Sequence, residues 1–227
     1  IQLGNNEIGT IQDIESIGFI CRKKEIPLLC DATQAIGKVE IDVEKLNVDL
    51  LCVSSHKING PKGVGFLFKR NNIKLTPLFH GGDQEGGLRA GTLNTAGIVG
   101  FGKACEIAKK DIQENHKNLA KIQSDFESYI ESNYIGEVIA KNISRLPHIS
   151  NIVLNEEAIS FINRNIEKIC VSTGSACNSS IETQSHVLKS LNLKNKIKNC
   201  VRFSFLNSED NISVWNEIFE FNLDDKK

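Results

Sequence analysis

Val48-Asp49-Leu50-Leu51-Cys52-Val53-Ser54-Ser55-His56-Lys57-Ile58-Asn59-Gly60-Pro61-Lys62-Gly63 carries most of the information in this 227-residue chain. An apolar run of strand length ends in hydroxyls, an imidazole and an amine, then breaks at Gly-Pro-Lys-Gly; such a break reads as the floor of a site. Among side chains only an amine forms a Schiff base with a carbonyl, and Lys57 stands at a strand mouth where it can do so. A second apolar run, Ile26-Pro27-Leu28-Leu29-Cys30, ends in Asp31-Ala32-Thr33-Gln34. A lysine at one strand end and a carboxylate at another match the needs of pyridoxal 5'-phosphate. The lysine holds the aldehyde carbon and the aspartate keeps the pyridinium nitrogen protonated, so that the ring withdraws electrons. Gln34, about one turn beyond Asp31, is placed to donate to the cofactor's phenolate oxygen.

The bulk numbers narrow the class. A chain of 227 residues suffices for one large domain or two modest ones. Hydrophobic content of 40 % with 24 % charged residues fits a soluble globular protein. A net charge of −1 leaves no footprint for nucleic acid. No apolar stretch approaches the ~18 residues of a membrane span, and no signal peptide is visible at Ile1. There is no Met at position 1 or anywhere else, and the first residues read as a domain interior, so the chain is expected to be a fragment. Seven cysteines without a C-x-x-C pair suggest free thiols in a reducing compartment, cytoplasm or organelle matrix. Cys170, among apolar residues, is expected to be buried.

Residues 1 to 110 alternate strand-like and helix-like patterns: a helix from Asp13 to Arg22 with Asp13 as N-cap, and strands at 27–30, 49–53 and 63–69. This predicts a parallel or mixed α/β sheet with the site at the strand carboxyl ends. His80 to Thr92 holds five glycines and is expected to be a loop of unusual backbone geometry. Ile98 to Ala108 resumes a helical pattern. A boundary near 110 is expected, with a helix over 111–132 opening a second domain of residues 111–227. Ile112, Leu119, Ile122, Phe126 and Ile130 mark that helix's apolar face. Strands at 149–154, 169–172 and 200–205 follow, with helices near 159–163, 186–191 and 213–223.

Further residues carry chemistry. Asn5-Asn6-Glu7-Ile8-Gly9 is a good turn sequence whose amides also suit a cofactor or carboxylate oxygen. Ser54 and His56 beside Lys57 form a polar turn suited to a phosphate. Thr92 closes Arg89-Ala90-Gly91-Thr92, a loop able to offer a hydroxyl and backbone amides to a phosphate. Cys177 lies in Thr173-Gly174-Ser175-Ala176-Cys177-Asn178-Ser179-Ser180, a run of small residues that reads as a mobile loop bearing a nucleophilic thiol. Arg202 interrupts the apolar strand Val201-Arg202-Phe203-Ser204-Phe205, where its guanidinium fork needs a partner such as a substrate carboxylate. Each admits a plainer reading alone: a surface lysine, an aspartate N-cap, a structural turn, a linker, an incidental cysteine, a structural ion pair.

In combination and in this order, these motifs resemble cysteine desulfurases of the NifS/IscS type, class-V aminotransferases dependent on pyridoxal phosphate. The resemblance covers nearly the whole chain. It implies an α/β fold of the aspartate-aminotransferase (type I) class, here a partial large domain with a small C-terminal α+β domain, and a homodimer. It implies conversion of L-cysteine to L-alanine with sulfur passing to Cys177 as a persulfide. From there sulfur would go to an iron–sulfur scaffold or a sulfur-relay protein for tRNA thiolation. Lys57 resembles the Schiff-base lysine, Asp31 the pyridinium partner, Gln34 the phenolate donor, and Ser54 and His56 the phosphate contacts. Thr92 resembles the threonine that reaches the neighbouring subunit's cofactor phosphate; Asn6 and Arg202 resemble the substrate-carboxylate clamp. No metal is implied. The family's N-terminal segment is absent and the stretch Leu154–Ala158 is short for the family, so this chain alone is expected to be inactive. Another type I lyase, selenocysteine lyase-like, and a docking or dimerisation module stay open as alternatives.

Overall fold

The computed structural model describes residues 1–165, 170–173 and 185–207. They build two compact units, Ile1–Gly4 with Gln12–Ile112, and Asn5–Ile11 with Gln113–Lys227.

In the first unit Asp13 stops the chain before helix α1 (Ile14–Lys23) by accepting the Ser16 amide at 3.0 Å. Glu15 in its first turn and Arg22 and Lys23 in its last agree with the helix dipole. Strands β1 (Leu29–Asp31), β2 (Leu50–Ser54) and β3 (Gly65–Lys69) form a sheet in that order. β1 and β2 run parallel and β2 and β3 antiparallel, so the sheet is mixed. Residues 1–3 continue it beyond β1: Asp31 donates to Ile1 O at 2.9 Å and Leu3 to Asp31 O at 2.8 Å. The period-two burial of β2 puts Leu51 and Val53 into the core with Cys30, Ala32 and Val48.

Helix α2 (Thr95–Ser132) is continuous over 38 residues. The separate helical patterns expected at 98–108 and 111–132 are therefore one element, and the boundary expected near 110 falls inside it. No glycine or proline interrupts the stretch between the two patterns, so nothing breaks the backbone hydrogen bonding there.

The second unit is an antiparallel sheet in the order β4-β5-β7-β6. Its strands are β4 (Gly136–Val138), β5 (Ile149–Leu154), β6 (Ser172–Thr173) and β7 (Cys200–Ser204). β5 is buried at all six positions, so its sequence carries no alternation. On one face Leu119, Ile122, Phe126 and Ile130 of α2 pack against Ile152, Leu154, Val201 and Phe203. Phe126 sits between Phe203 and Phe205, at 4.9 and 5.3 Å between ring centres. A second cluster joins Ile8, Ile139, Val153, Leu188 and Cys200. Helix α3 (Glu156–Arg164) is capped by Asn155, which accepts the Ala158 amide at 2.8 Å; helix α4 (His186–Ser190) is capped by Ser185.

Cys170 is exposed, contrary to expectation. Its apolar neighbours in sequence do not bury it because the strand is shorter than expected, beginning only at Ser172. β4 was not anticipated; three residues carry too little pattern to read. No described helix is long and apolar enough to cross a membrane.

Candidate active site

The parallel pairing of β1 and β2 brings two strand ends to one edge, with Asp31 opposite Cys52 in register. Asp31 ends β1 and Ser54 ends β2; a single 3-10 turn, Ser55–Ile58, then carries His56 and Lys57. Lys57 is half-buried, unlike an ordinary surface lysine. The Ser54 hydroxyl and His56 Nδ1 lie 2.8 Å apart, so the two contacts expected for a phosphate are tied to each other. Asp31 Oδ1 accepts the Thr33 amide at 2.9 Å, which steadies the carboxylate with a turn hydrogen bond and realises part of its plainer capping role. Gln34 lies half-buried in the turn that follows.

Helix α2 holds this turn through small residues spaced four apart. Asn59 adopts a left-handed conformation (φ 61°) to end the 3-10 turn. A Cβ on Gly60 would lie 2.1 Å from Ser55 Oγ and 3.1 Å from Ala104 Cβ; one on Gly100 would lie 2.7 Å from Pro61 Cγ. One on Gly37 would lie 2.6 Å from Ile58 and 3.4 Å from Ala108 Cβ. Gly100, Ala104 and Ala108 thus form one row of the helix against which the lysine-bearing turn is seated.

The glycine-rich loop has the geometry expected of it. Positive φ occurs at Gly81, Glu85, Gly86, Gly87 and Gly91, and Gln84 Oε1 accepts the Gly91 amide at 3.0 Å. Thr92 is exposed next to this fold of the loop.

Asn6 and Arg202 both belong to the second unit and are brought together there: Arg202 Nη1 donates to Asn6 O at 2.7 Å. The turn around Asn6 is internally bonded, since Asn5 Oδ1 accepts the amides of Glu7 and Ile8 at 2.9 and 3.0 Å. Cys177 lies outside the described residues.

Two side chains that the sequence did not single out sit opposite ones that it did. Cys52 faces Asp31; burial pushes its thiol up, and the neighbouring carboxylate, which accepts its hydrogen bond, adds to the rise. Asn151 faces Arg202 across β5 and β7 and donates to Glu7 O at 3.1 Å. Strand register would have found both, but one sequence does not state its pairing.

Residues 1–214 match the aminotransferase class-V family. The cysteine desulfurase IscS of Clostridium botulinum is 45 % identical over 200 residues, covering 85 % of this chain and 50 % of the relative. The solved structure of a NifS-like protein from Rickettsia africae superposes with a TM-score of 0.86 at 31 % identity, covering 99 % of this chain and 61 % of that one. A solved structure of SspA in complex with cysteine has a TM-score of 0.74 at 33 % identity, covering 90 % and 57 %. The chain spans about half the length of the curated relatives it matches.

Class-V aminotransferases and cysteine desulfurases use pyridoxal 5'-phosphate. The donor set of the first unit fits that cofactor: a half-buried amine, a hydroxyl–imidazole pair at 2.8 Å and a carboxylate held by a backbone amide at 2.9 Å, all at or just beyond strand carboxyl ends. The architecture is a partial α/β structure of the type I pyridoxal-phosphate fold found in NifS-like proteins. On its matched residues and its fold, the chain belongs to the aminotransferase class-V family.

Proposed function

We propose that this chain is part of a cysteine desulfurase that converts L-cysteine to L-alanine. Its substrate sulfur passes to Cys177, and the persulfide then supplies an iron–sulfur scaffold or a sulfur-relay protein leading to tRNA thiolation. The observation that carries this reading is the alignment of Asp31 with Cys52 on parallel strands, with Ser54 ending the second strand and His56 and Lys57 following in the next turn.

Lys57, Asp31, Gln34, Ser54, His56, Thr92 and Asn6 would hold pyridoxal 5'-phosphate. Bound there, the cofactor supplies an electron sink for the pair released when the substrate's Cα proton leaves. Lys57 moves that proton as a general base, a role suited to an amine withdrawn from bulk water. Asp31 keeps its carboxylate oriented through Thr33. Arg202 and Asn6 orient the substrate carboxylate, the guanidinium supplying charge and the amide direction. The Cys177 thiolate attacks the substrate sulfur: an S–S bond forms, the substrate C–S bond breaks, and the Cβ is reduced to a methyl as the sulfur is oxidised. Enzyme thiol plus cysteine thus give enzyme persulfide plus alanine, with no outside oxidant. A homodimer in the cytoplasm or an organelle matrix is part of the same reading, Thr92 serving the partner subunit's phosphate.

The test uses two variants. Lys57→Ala should abolish the yellow colour of lysine-bound pyridoxal phosphate, whereas Cys177→Ser should keep the colour and form no persulfide from L-cysteine. Persulfide formation in Cys177→Ser, or an unchanged spectrum in Lys57→Ala, would refute the assignment.

A further inference from the structure

β5 is an apolar strand with a polar pair in its middle. Ile149, Ile152, Val153 and Leu154 are buried hydrophobics, yet Ser150 and Asn151 are equally buried. Ser150 is accounted for: its hydroxyl donates to Glu127, which also pairs with Arg145 at 2.7 and 2.8 Å. Asn151 is only half accounted for. It is 3 % exposed, its Nδ2 donates to Glu7 O, and its Oδ1 is buried with no hydrogen-bond partner among the described residues.

A buried acceptor without a partner is costly, and an apolar side chain of the same shape would avoid that cost. What the amide provides is one donated hydrogen bond. That donor reaches the carbonyl of Glu7, while Arg202, directly opposite on β7, reaches the carbonyl of Asn6. Two facing residues on neighbouring strands therefore grip two consecutive carbonyls of one turn. Other contacts hold the remainder of that turn: Leu146 N donates to Gly9 O at 2.7 Å and Ile11 N to Ser144 O at 2.9 Å. Between Asn5 and Gly9, Asn151 and Arg202 supply side-chain anchors from the sheet at the residue whose amide is to meet substrate.

We infer that Asn151 is a positioning residue: with Arg202 it clamps the Asn6–Glu7 backbone and so orients the Asn6 amide and the Arg202 guanidinium toward a substrate carboxylate. This rests on the clamp role assigned to Asn6 and Arg202 above. Asn151 itself does not touch the substrate. A stabilising role alone and a positioning role differ in one respect. Leucine is close to asparagine in shape and removes the orphaned Oδ1, while leaving Glu7 O without the donor from Asn151, so it separates the packing of the side chain from its grip on the turn.

The experiment compares Asn151→Leu and Arg202→Lys with the unaltered full chain loaded with pyridoxal phosphate. It reads thermal midpoint, amide hydrogen exchange and the dissociation constant for L-cysteine. Asn151→Leu exchanges one unpartnered acceptor for another, so its thermal midpoint should stay close to that of the unaltered chain. Its Glu7, Ile8 and Gly9 amides should exchange roughly tenfold faster, the scale of one lost hydrogen bond, and L-cysteine should bind roughly tenfold more weakly. Asn151→Gln, which keeps a donor, should recover part of both effects. Unchanged exchange at Glu7 to Gly9 in Asn151→Leu overturns the inference whatever cysteine does. So does unchanged cysteine binding in Asn151→Leu when Arg202→Lys binds more weakly. Unchanged cysteine binding in Arg202→Lys overturns instead the clamp on which the inference stands.

Discussion

Gly60→Ala isolates the packing that seats the lysine-bearing turn. Gly60 N donates to Ser55 O at 3.1 Å, closing the turn that carries His56 and Lys57. A methyl on its Cα would stand 2.1 Å from Ser55 Oγ and 3.1 Å from both Ser55 O and Ala104 Cβ. Ser55 is fully buried, so the hydroxyl cannot swing into solvent. Overpacking of this kind costs about 1–3 kcal/mol. Ser55 Oγ has no hydrogen-bond partner among the described residues, so Ser55→Ala alone should be neutral or stabilising. In the Ser55→Ala background the 2.1 Å overlap is gone and only the 3.1 Å contacts remain. The two substitutions should therefore couple favourably, by on the order of 1 kcal/mol. Urea unfolding of the wild type, both single variants and the double variant, followed by circular dichroism, measures the cycle. Additivity within ~0.3 kcal/mol would show that the hydroxyl is not what excludes a side chain at Gly60.

Arg145→Ala should destabilise the chain by about 3–5 kcal/mol in denaturant titration, because both Arg145 and Glu127 are over nine-tenths buried and the carboxylate would lose its bidentate partner. Asn155→Ala, which removes the α3 cap, should cost about 1 kcal/mol in the same assay. Burial pushes the Cys30 and Cys200 thiols from 9.0 up to about 11. The folded state then holds these protons to higher pH than the unfolded state. The stability they confer is fully present below pH 9.0 and is lost as pH rises toward about 11. Cys200→Ala should flatten that alkaline limb of a thermal-midpoint profile. In a Cys177→Ser background at neutral pH, an alkylating reagent should modify exposed Cys170 first and leave Cys30 and Cys200 intact until the chain unfolds, as peptide mapping would read.

What a single chain of letters settles here is local chemistry and local period. Asp13 announces the start of α1 because a carboxylate before an apolar helical pattern satisfies free backbone amides. The five glycines between His80 and Thr92 announce a loop because four of them, at 81, 86, 87 and 91, take positive φ. The motifs around Asn6, Asp31, Lys57, Gly60, Thr92, Cys177 and Arg202, in this order, carried the family resemblance together. Register and burial were not legible, because they depend on residues far apart in sequence. Cys170 has apolar neighbours yet lies exposed, for burial is decided by what packs over a strand. A strand could be read at 49–53, but that Cys52 would face Asp31 follows only from the parallel pairing. β5 has no alternation, so nothing in its sequence distinguishes Asn151 from a misplaced polar residue. Only the antiparallel pairing of β5 with β7 places Asn151 across from Arg202 and gives both the same turn to hold, a contact 144 residues apart for one and 196 for the other. Hydrogen bonds of that span belong to the folded chain, since no local pattern encodes which distant carbonyl a side chain will meet.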